Sequence, residues 1–112
     1  NPMQEYLDAL ARLETLPADT LVLPSHGLPF HGLHARLAQL REHHLTRLDD
    51  VTSVISGRTT AFAIAQEVFP RVLYANPRQA FGETLAHLNM LASTGRLTRE
   101  VDGDGAIAFA PM

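Results

Sequence analysis

The sequence predicts a mainly α protein with a small β-hairpin at its end. Apolar residues recur at three- and four-residue steps over most of the chain, which is the period of an amphipathic helix. Near the C-terminus the period changes to alternation on both sides of an Asp-Gly-Asp-Gly turn, which is typical of two paired strands. The length of 112 residues allows one small domain, or one domain and part of another.

The pattern of residues 1–33 predicts half of an α/β unit. Helical spacing of apolar residues predicts a helix over 3–16, and Pro17 ends it. Residues 20–23 form an apolar run that predicts a buried strand without an evident partner strand in the chain. We therefore expect its neighbours to come from sequence upstream. Alone, the segment is expected to pair with a second copy or to lie against the long helix over 34–55.

His26 follows this strand in the stretch Leu21-Val-Leu-Pro-Ser-His-Gly-Leu-Pro-Phe. Pro24 ends the strand, and a strand end places the next side chains at the rim of a sheet, where loops carry chemistry. Ser25 and Gly27 leave the imidazole uncrowded, and Gly27 permits a sharp turn. These features alone leave two roles open for His26: a metal ligand, or a loop residue with local hydrogen bonds.

The remaining residues, 34–112, predict a long helix, two shorter helices and the hairpin. Gly57 is the stop signal of the long helix, a threonine at 59 or 60 caps the next, and Asn76-Pro77 begins the last. Gly95 ends that helix, and three helices followed by a hairpin are the winged-helix arrangement. The expected bounds are 34–55, 61–69 and 77–94 for the helices and 97–101 and 107–109 for the strands.

These features, in this order, resemble the C-terminal part of the metallo-β-lactamase-fold hydrolases that carry a winged-helix appendage, the group similar to glyoxalase II. The matching motifs are Ser25-His26-Gly27, where the family usually has Gly-His-Gly, the helical segment 41–47, and Gly95-Arg96-Leu97 at the wing. The resemblance implies that residues 1–33 are the last helix, strand and ligand loop of an αββα sandwich. Residues 34–112 are then the long helix and winged-helix domain.

The resemblance implies a parent enzyme that uses zinc or another divalent metal to activate water against an ester, thioester, amide or phosphodiester. Of the family's ligands only His26 carries over, because the His-X-His-X-Asp-His cluster is not in this sequence. A catalytic zinc takes about three protein ligands, so the chain alone is expected to bind no metal and to be inactive. No catalytic residue is assigned.

The other histidines give weaker signals. His31 and His34 have a spacing that two metal ligands use, but no third ligand lies nearby in sequence. His43 and His44 are adjacent on a helix and point about 100° apart, so they cannot chelate together. His44 falls on the apolar stripe and is expected in the core or an interface, whereas His43 is expected in solvent. His87 is expected at the surface, because the buried stripe of its helix is predicted as Phe81, Leu85, Leu88 and Leu91.

Charge and composition limit the partners. The net charge is −3, and residues 58–112 hold five Arg against five acidic residues, whereas duplex DNA binding requires a basic excess. A winged-helix DNA-binding regulator is therefore the alternative function, and the favoured partners are the protein's own N-terminal catalytic domain and a second copy of the chain. No apolar run is long enough to cross a membrane. The chain has no Cys, which fits a cytoplasmic location.

Overall fold

The computed structural model describes all 112 residues. The chain forms five helices and one antiparallel pair of strands, which confirms the prediction of a mainly helical protein with a small hairpin. The elements are α1 (Pro2–Leu13), α2 (Leu33–Ser53), α3 (Ala61–Val68), α4 (Pro70–Ala75), α5 (Pro77–Ser93), β1 (Leu97–Val101) and β2 (Ile107–Pro111).

The helix starts follow the predicted caps. The side chain of Asn76 accepts a hydrogen bond from the backbone N–H of Gln79 at the start of α5, and Pro77 occupies the first helical position. The side chain of Thr60 accepts from the N–H of Ala63 and caps α3 in the same way. Each cap satisfies a backbone donor that the first turn of a helix leaves without a partner.

Two helices end two or more residues earlier than predicted, and at each end a side-chain hydroxyl donates to a backbone carbonyl of the last turn. In α1, which ends at Leu13 instead of residue 16, the Thr15 hydroxyl donates to the carbonyl of Arg12 over 2.7 Å. In α2, the Ser53 hydroxyl donates to the carbonyl of Asp50 over 2.7 Å, and the helix ends there instead of at residue 55. Such hydroxyl bonds compete with the helical ladder.

The predicted strand over 20–23 does not form within this chain, where no partner strand was expected. This segment has only one antiparallel bridge, between Val22 and Phe30. Leu21 and Leu23 are 51% and 72% exposed, although the strand was expected to be buried. A strand needs a neighbour to satisfy its backbone groups, and within this chain the only neighbour is one residue long.

Helix α4 is not predicted from the sequence, because Pro70 indicates the end of α3 as readily as the start of another helix. α3 does end at Val68, but Pro70 then occupies the first turn of a new helix, where its missing N–H costs nothing. Phe69, which is buried, lies between the two helices. The short α4 packs on both α3 and α5.

Helix α5 is the centre of the fold and contacts every other helix and β1. The main core surrounds it and includes Met3 of α1, so residues 1–33 share a core with the rest of the chain. The boundary at residue 33/34 stays a prediction from the sequence. A second apolar cluster joins α1 to the start of α2, and an ion pair of 3.0 Å between Arg41 and Glu14 joins the same two helices. The ten buried residues of the main core are Met3, Leu48, Val51, Ala61, Ile64, Leu88, Met90, Leu91, Leu97 and Phe109.

The hairpin is closed by the predicted turn and is attached to the helices. Asp102 accepts hydrogen bonds from the N–H groups of Asp104 and Ala106, which confirms a turn at the Asp-Gly-Asp-Gly stretch. On its other edge, β2 pairs through Phe109 with Thr59 by two backbone hydrogen bonds of 2.7 and 2.8 Å. The segment between α2 and α3 thus holds the hairpin against the core.

Candidate functional site

His26 lies in an exposed loop formed by residues 23–29. The loop begins and ends at Val22 and Phe30, whose backbones exchange hydrogen bonds of 2.8 and 3.0 Å. Gly27 has φ of +97°, a conformation that glycine adopts without strain and that turns the chain directly after His26. The imidazole is exposed and makes no hydrogen bond or ion pair.

Two other histidines hold the base of this loop. His34, in the first turn of α2, donates from Nε2 to the carbonyl of Leu16 over 2.8 Å. His31 donates from Nδ1 to the carbonyl of Asp19 over 3.2 Å. The carbonyls only accept, so the bonded ring nitrogens carry hydrogen. The pair at i,i+3 therefore joins the start of α2 to the segment after α1.

Exposed leucines occur on the His26 loop and in the segment that precedes it. Leu23 and Leu28, on either side of it in sequence, are 72% and 85% exposed. Leu21 in the same segment, Leu13 at the end of α1 and Leu16 after that helix are also exposed, at 41–51%. Several exposed leucines in one small region are typical of a surface that packs against another protein or domain. The leucines of this surface, called the loop surface below, are Leu13, Leu16, Leu21, Leu23 and Leu28.

The chain offers one side chain that could bind a metal at this loop, but not a complete metal site. No group of three or more His, Cys, Asp or Glu side chains in the chain is close enough to hold a metal ion. His26 fits as a single ligand, because its ring nitrogens are free of protein partners and reach solvent. The other ligands of a catalytic metal would have to come from residues outside this chain.

A second candidate site is the histidine cluster, formed by His43, His44 and His87. The ring centroids of His43 and His44 are 5.3 Å apart, and those of His44 and His87 are 6.2 Å apart. Tyr6 of α1 lies edge-on to His44 at 4.8 Å. His43 is exposed and His44 half-buried, as the sequence predicted, but the buried Nδ1 of His44 has no hydrogen-bond partner.

The prediction of a surface position for His87 is wrong, because its residue is only 3% exposed. The buried face of α5 is rotated from the predicted stripe, and Phe81 is 44% exposed. The small residues Ala80 and Thr84 are fully buried on that face and precede His87 at steps of four and three. This helical spacing is present in the sequence, but a buried stripe defined by large apolar residues does not include alanine and threonine.

The tautomer of His87 follows from its hydrogen bond. Nδ1 donates to the carbonyl of Glu83 over 2.6 Å, so in the neutral ring Nε2 bears a lone pair, and this buried nitrogen has no partner. Burial lowers the pKa of His87, and the positive charges of Arg47 and His43 lower it further, whereas the backbone bond and the carboxylate of Glu83 act the other way. Burial therefore favours the neutral ring.

The pKa of His44 is lowered for similar reasons. Burial is the main cause, and the charges of His43 and His87 add to it, with Glu83 opposing them. A cavity of about 370 Å³ opens between α2 and α5 beside the cluster. Arg47 borders it with its guanidinium 5.0 Å from the centre of the Phe69 ring. The ten residues that line the cavity are Met3, His43, His44, Arg47, Phe69, Val72, Gly82, Glu83, Ala86 and His87.

Residues 48–112 match the family described as metallo-beta-lactamase-like, C-terminal domain. The chain belongs to this family. It is also 29% identical over 104 residues to the probable metallo-hydrolase YqjP of Bacillus subtilis (strain 168), covering 92% of this chain and 32% of that protein.

Two crystal structures resemble the whole chain. A beta-lactamase domain protein from Burkholderia ambifaria is 44% identical with a TM-score of 0.88, and a metallo-beta-lactamase family protein from Thermus thermophilus is 31% identical with a TM-score of 0.81. Each match covers 100% of this chain and 34% of the other, so the chain spans about a third of the length of these relatives. The predicted resemblance to the C-terminal part of a metallo-β-lactamase-fold protein is confirmed.

None of the five helices combines the length and the apolar character that a membrane span requires.

Proposed function

We propose that this chain is the C-terminal part of a metal-dependent hydrolase of the metallo-β-lactamase superfamily, in which His26 is one ligand of the catalytic metal. The observation that carries the proposal is an exposed imidazole without protein partners, on a loop whose base is fixed by His31 and His34. A divalent ion such as zinc supplies the chemistry by lowering the pKa of bound water. The relatives, described as metallo-hydrolase and beta-lactamase family proteins, support this reaction class.

The proposed partner of the loop surface is the catalytic domain of the same protein. The five leucines of the loop surface are 41–85% exposed, and covering them on the catalytic domain would remove them from water. The same contact would orient the His26 loop toward the other metal ligands. A substrate among esters, thioesters, amides and RNA is consistent with this arrangement.

The helices and hairpin that follow are proposed to form a winged-helix appendage that shapes substrate access or contributes to a dimer contact. The pairing of Thr59 with Phe109 supports this assignment, because a third extended segment beside the hairpin is a feature of winged helices. The charge does not favour the DNA-binding alternative, since Arg58 is paired with Glu100 at 3.8 Å and the half from residue 58 has no net charge. The cytoplasm stays the predicted location.

The test uses the full-length protein that contains this segment. His26→Ala is expected to lower metal affinity at least about tenfold and to reduce hydrolysis of a panel of ester, thioester and RNA substrates. Metal content after dialysis, measured by mass spectrometry, is the primary readout. His34→Ala should have a smaller effect on metal affinity, because it loosens the base of the loop without removing a ligand.

His43→Gln is the matched control, because His43 is exposed on α2 and is not assigned to the metal. Its metal content and activity should equal those of the unmodified protein. If His26→Ala retains full metal content and activity, the assignment of His26 as a ligand is wrong. If the full-length protein binds no divalent metal at all, the proposed reaction class is wrong.

A further inference from the structure

The cavity beside the histidine cluster is bordered by two histidines, and each has a buried ring nitrogen that the fold leaves without a partner. His87 is 3% exposed, and its Nε2 is buried with no hydrogen bond. Nδ1 of His44 is also buried without a partner, and both residues line the same cavity. Buried polar atoms are almost always hydrogen-bonded, so two exceptions that border one cavity point to a bound group that completes them.

The hydrogen-bond roles limit what this group can be. Nε2 of His87 can only accept, because Nδ1 already donates to the carbonyl of Glu83. Nδ1 of His44 is unconstrained and can donate when its ring takes that tautomer. A hydroxyl group fits both roles, since its O–H can donate to one ring and its oxygen can accept from the other.

The rest of the lining sets the character of the molecule that carries this hydroxyl. Met3, Phe69, Val72 and Ala86 supply an apolar wall. The formal charges of the two ionised lining residues, Arg47 and Glu83, are opposite and cancel. The volume of about 370 Å³ lies in the range of small-molecule sites.

We propose that the cavity between α2 and α5 binds a small, neutral, largely apolar alcohol or phenol, whose hydroxyl joins His87 to His44. A transition metal is disfavoured, because no third donor lies within metal-binding reach of the two rings. A small anion is disfavoured, because the Glu83 side chain borders the same space. None of the residues that line the cavity belongs to the His26 loop, so this proposal does not depend on the role proposed for His26.

Phenol and toluene are the probes, because they have nearly the same shape and differ in the hydroxyl. The isotopically labelled 112-residue chain is titrated with each at about pH 7.5, and the imidazole nitrogen signals are followed by NMR. Phenol should shift the signals of Nε2 of His87 and Nδ1 of His44. It should bind roughly tenfold more tightly than toluene, which is the discrimination that one hydrogen bond gives.

His87→Phe keeps a ring in the same place and removes the acceptor, so its preference for phenol over toluene should fall to about one. His44→Phe provides the same test if His87→Phe does not fold. His26→Gln, on the exposed loop and outside the cavity lining, should keep the preference. Equal binding of the two probes by the unmodified chain would overturn the proposal. The proposal would also be overturned if phenol caused no shift up to its solubility limit, which would indicate that water occupies the cavity. Tight zinc binding at the two rings without a response to phenol would likewise overturn it.

Discussion

Lowering the pH from about 7.5 to about 5.5 should destabilise the chain through the histidine cluster. His87 is buried and neutral, and its pKa in the folded chain is below the ordinary value of 6.5 that it regains on unfolding. As the pH falls through 6.5, the unfolded chain takes up a proton that the folded chain does not. The stability contribution is therefore complete above pH 6.5 and is lost progressively below it.

The magnitude follows from the number of protons. One group that is protonated only in the unfolded state changes the free energy of unfolding by about 1.4 kcal/mol per pH unit. This slope is the upper limit for His87, because a lowered pKa means that the folded chain takes up its proton at a lower pH than the unfolded chain. His44 has the same sign of effect, since burial also lowers its pKa, but its partial exposure makes its contribution smaller.

The assay is urea unfolding at several pH values between about 5.5 and 7.5, followed by circular dichroism because the chain has no Trp. His87→Gln should reduce the slope of the free energy of unfolding against pH by up to about 1.4 kcal/mol per pH unit, which corresponds to one proton. His26→Gln is the matched control, since His26 is exposed on the loop, and it should keep the slope of the unmodified chain. The reasoning is refuted if the unmodified chain is equally stable over this range, or if both variants show the same slope.

Three further predictions concern stability and are checked by the same unfolding measurement. Phe109→Ala should cost about 3–5 kcal/mol, because the side chain is 1% exposed at the centre of the core; a loss below about 1 kcal/mol would contradict this packing. Gly95→Ala should cost about 1–2 kcal/mol, because φ is +79° there, whereas Gly57→Ala, without a positive φ, should change little. Deleting residues 1–33 should lower stability but keep one cooperative transition, because nine of the ten main core residues lie beyond them; loss of cooperativity would place the first segment inside the domain.

The local parts of the fold were predictable, and the parts that depend on contacts were not. Asn76-Pro77 marks the start of α5 because a cap and its helix are adjacent in sequence. The strand expected over 20–23 does not form in this chain, because a strand needs a neighbouring strand and here only Phe30 pairs with the segment. Pro70 is compatible both with ending one helix and with starting another, and only the packing of α4 on α5 shows the second role.

The candidate sites differ in how far the sequence reveals them. His26 stands out in a Pro-Ser-His-Gly stretch, but its role as a metal ligand came from the family resemblance and not from spacing alone. His87 was missed because burial was assigned by side-chain size. Ala80 and Thr84 are small, so neighbouring elements can pack closely on their face of α5. The same packing buries the imidazole of His87.

Four of the six histidines of this chain are held by the fold, two by backbone hydrogen bonds at the loop and two by burial in the cluster. The nitrogens of His31 and His34 that bond to backbone carbonyls carry hydrogen in the neutral ring and in the imidazolium, so those bonds persist in either state. The buried rings of His44 and His87 instead oppose a second proton, because the added charge would lie in the interior. Mild acid should thus weaken the contact between α2 and α5 while the loop that displays His26 keeps its shape.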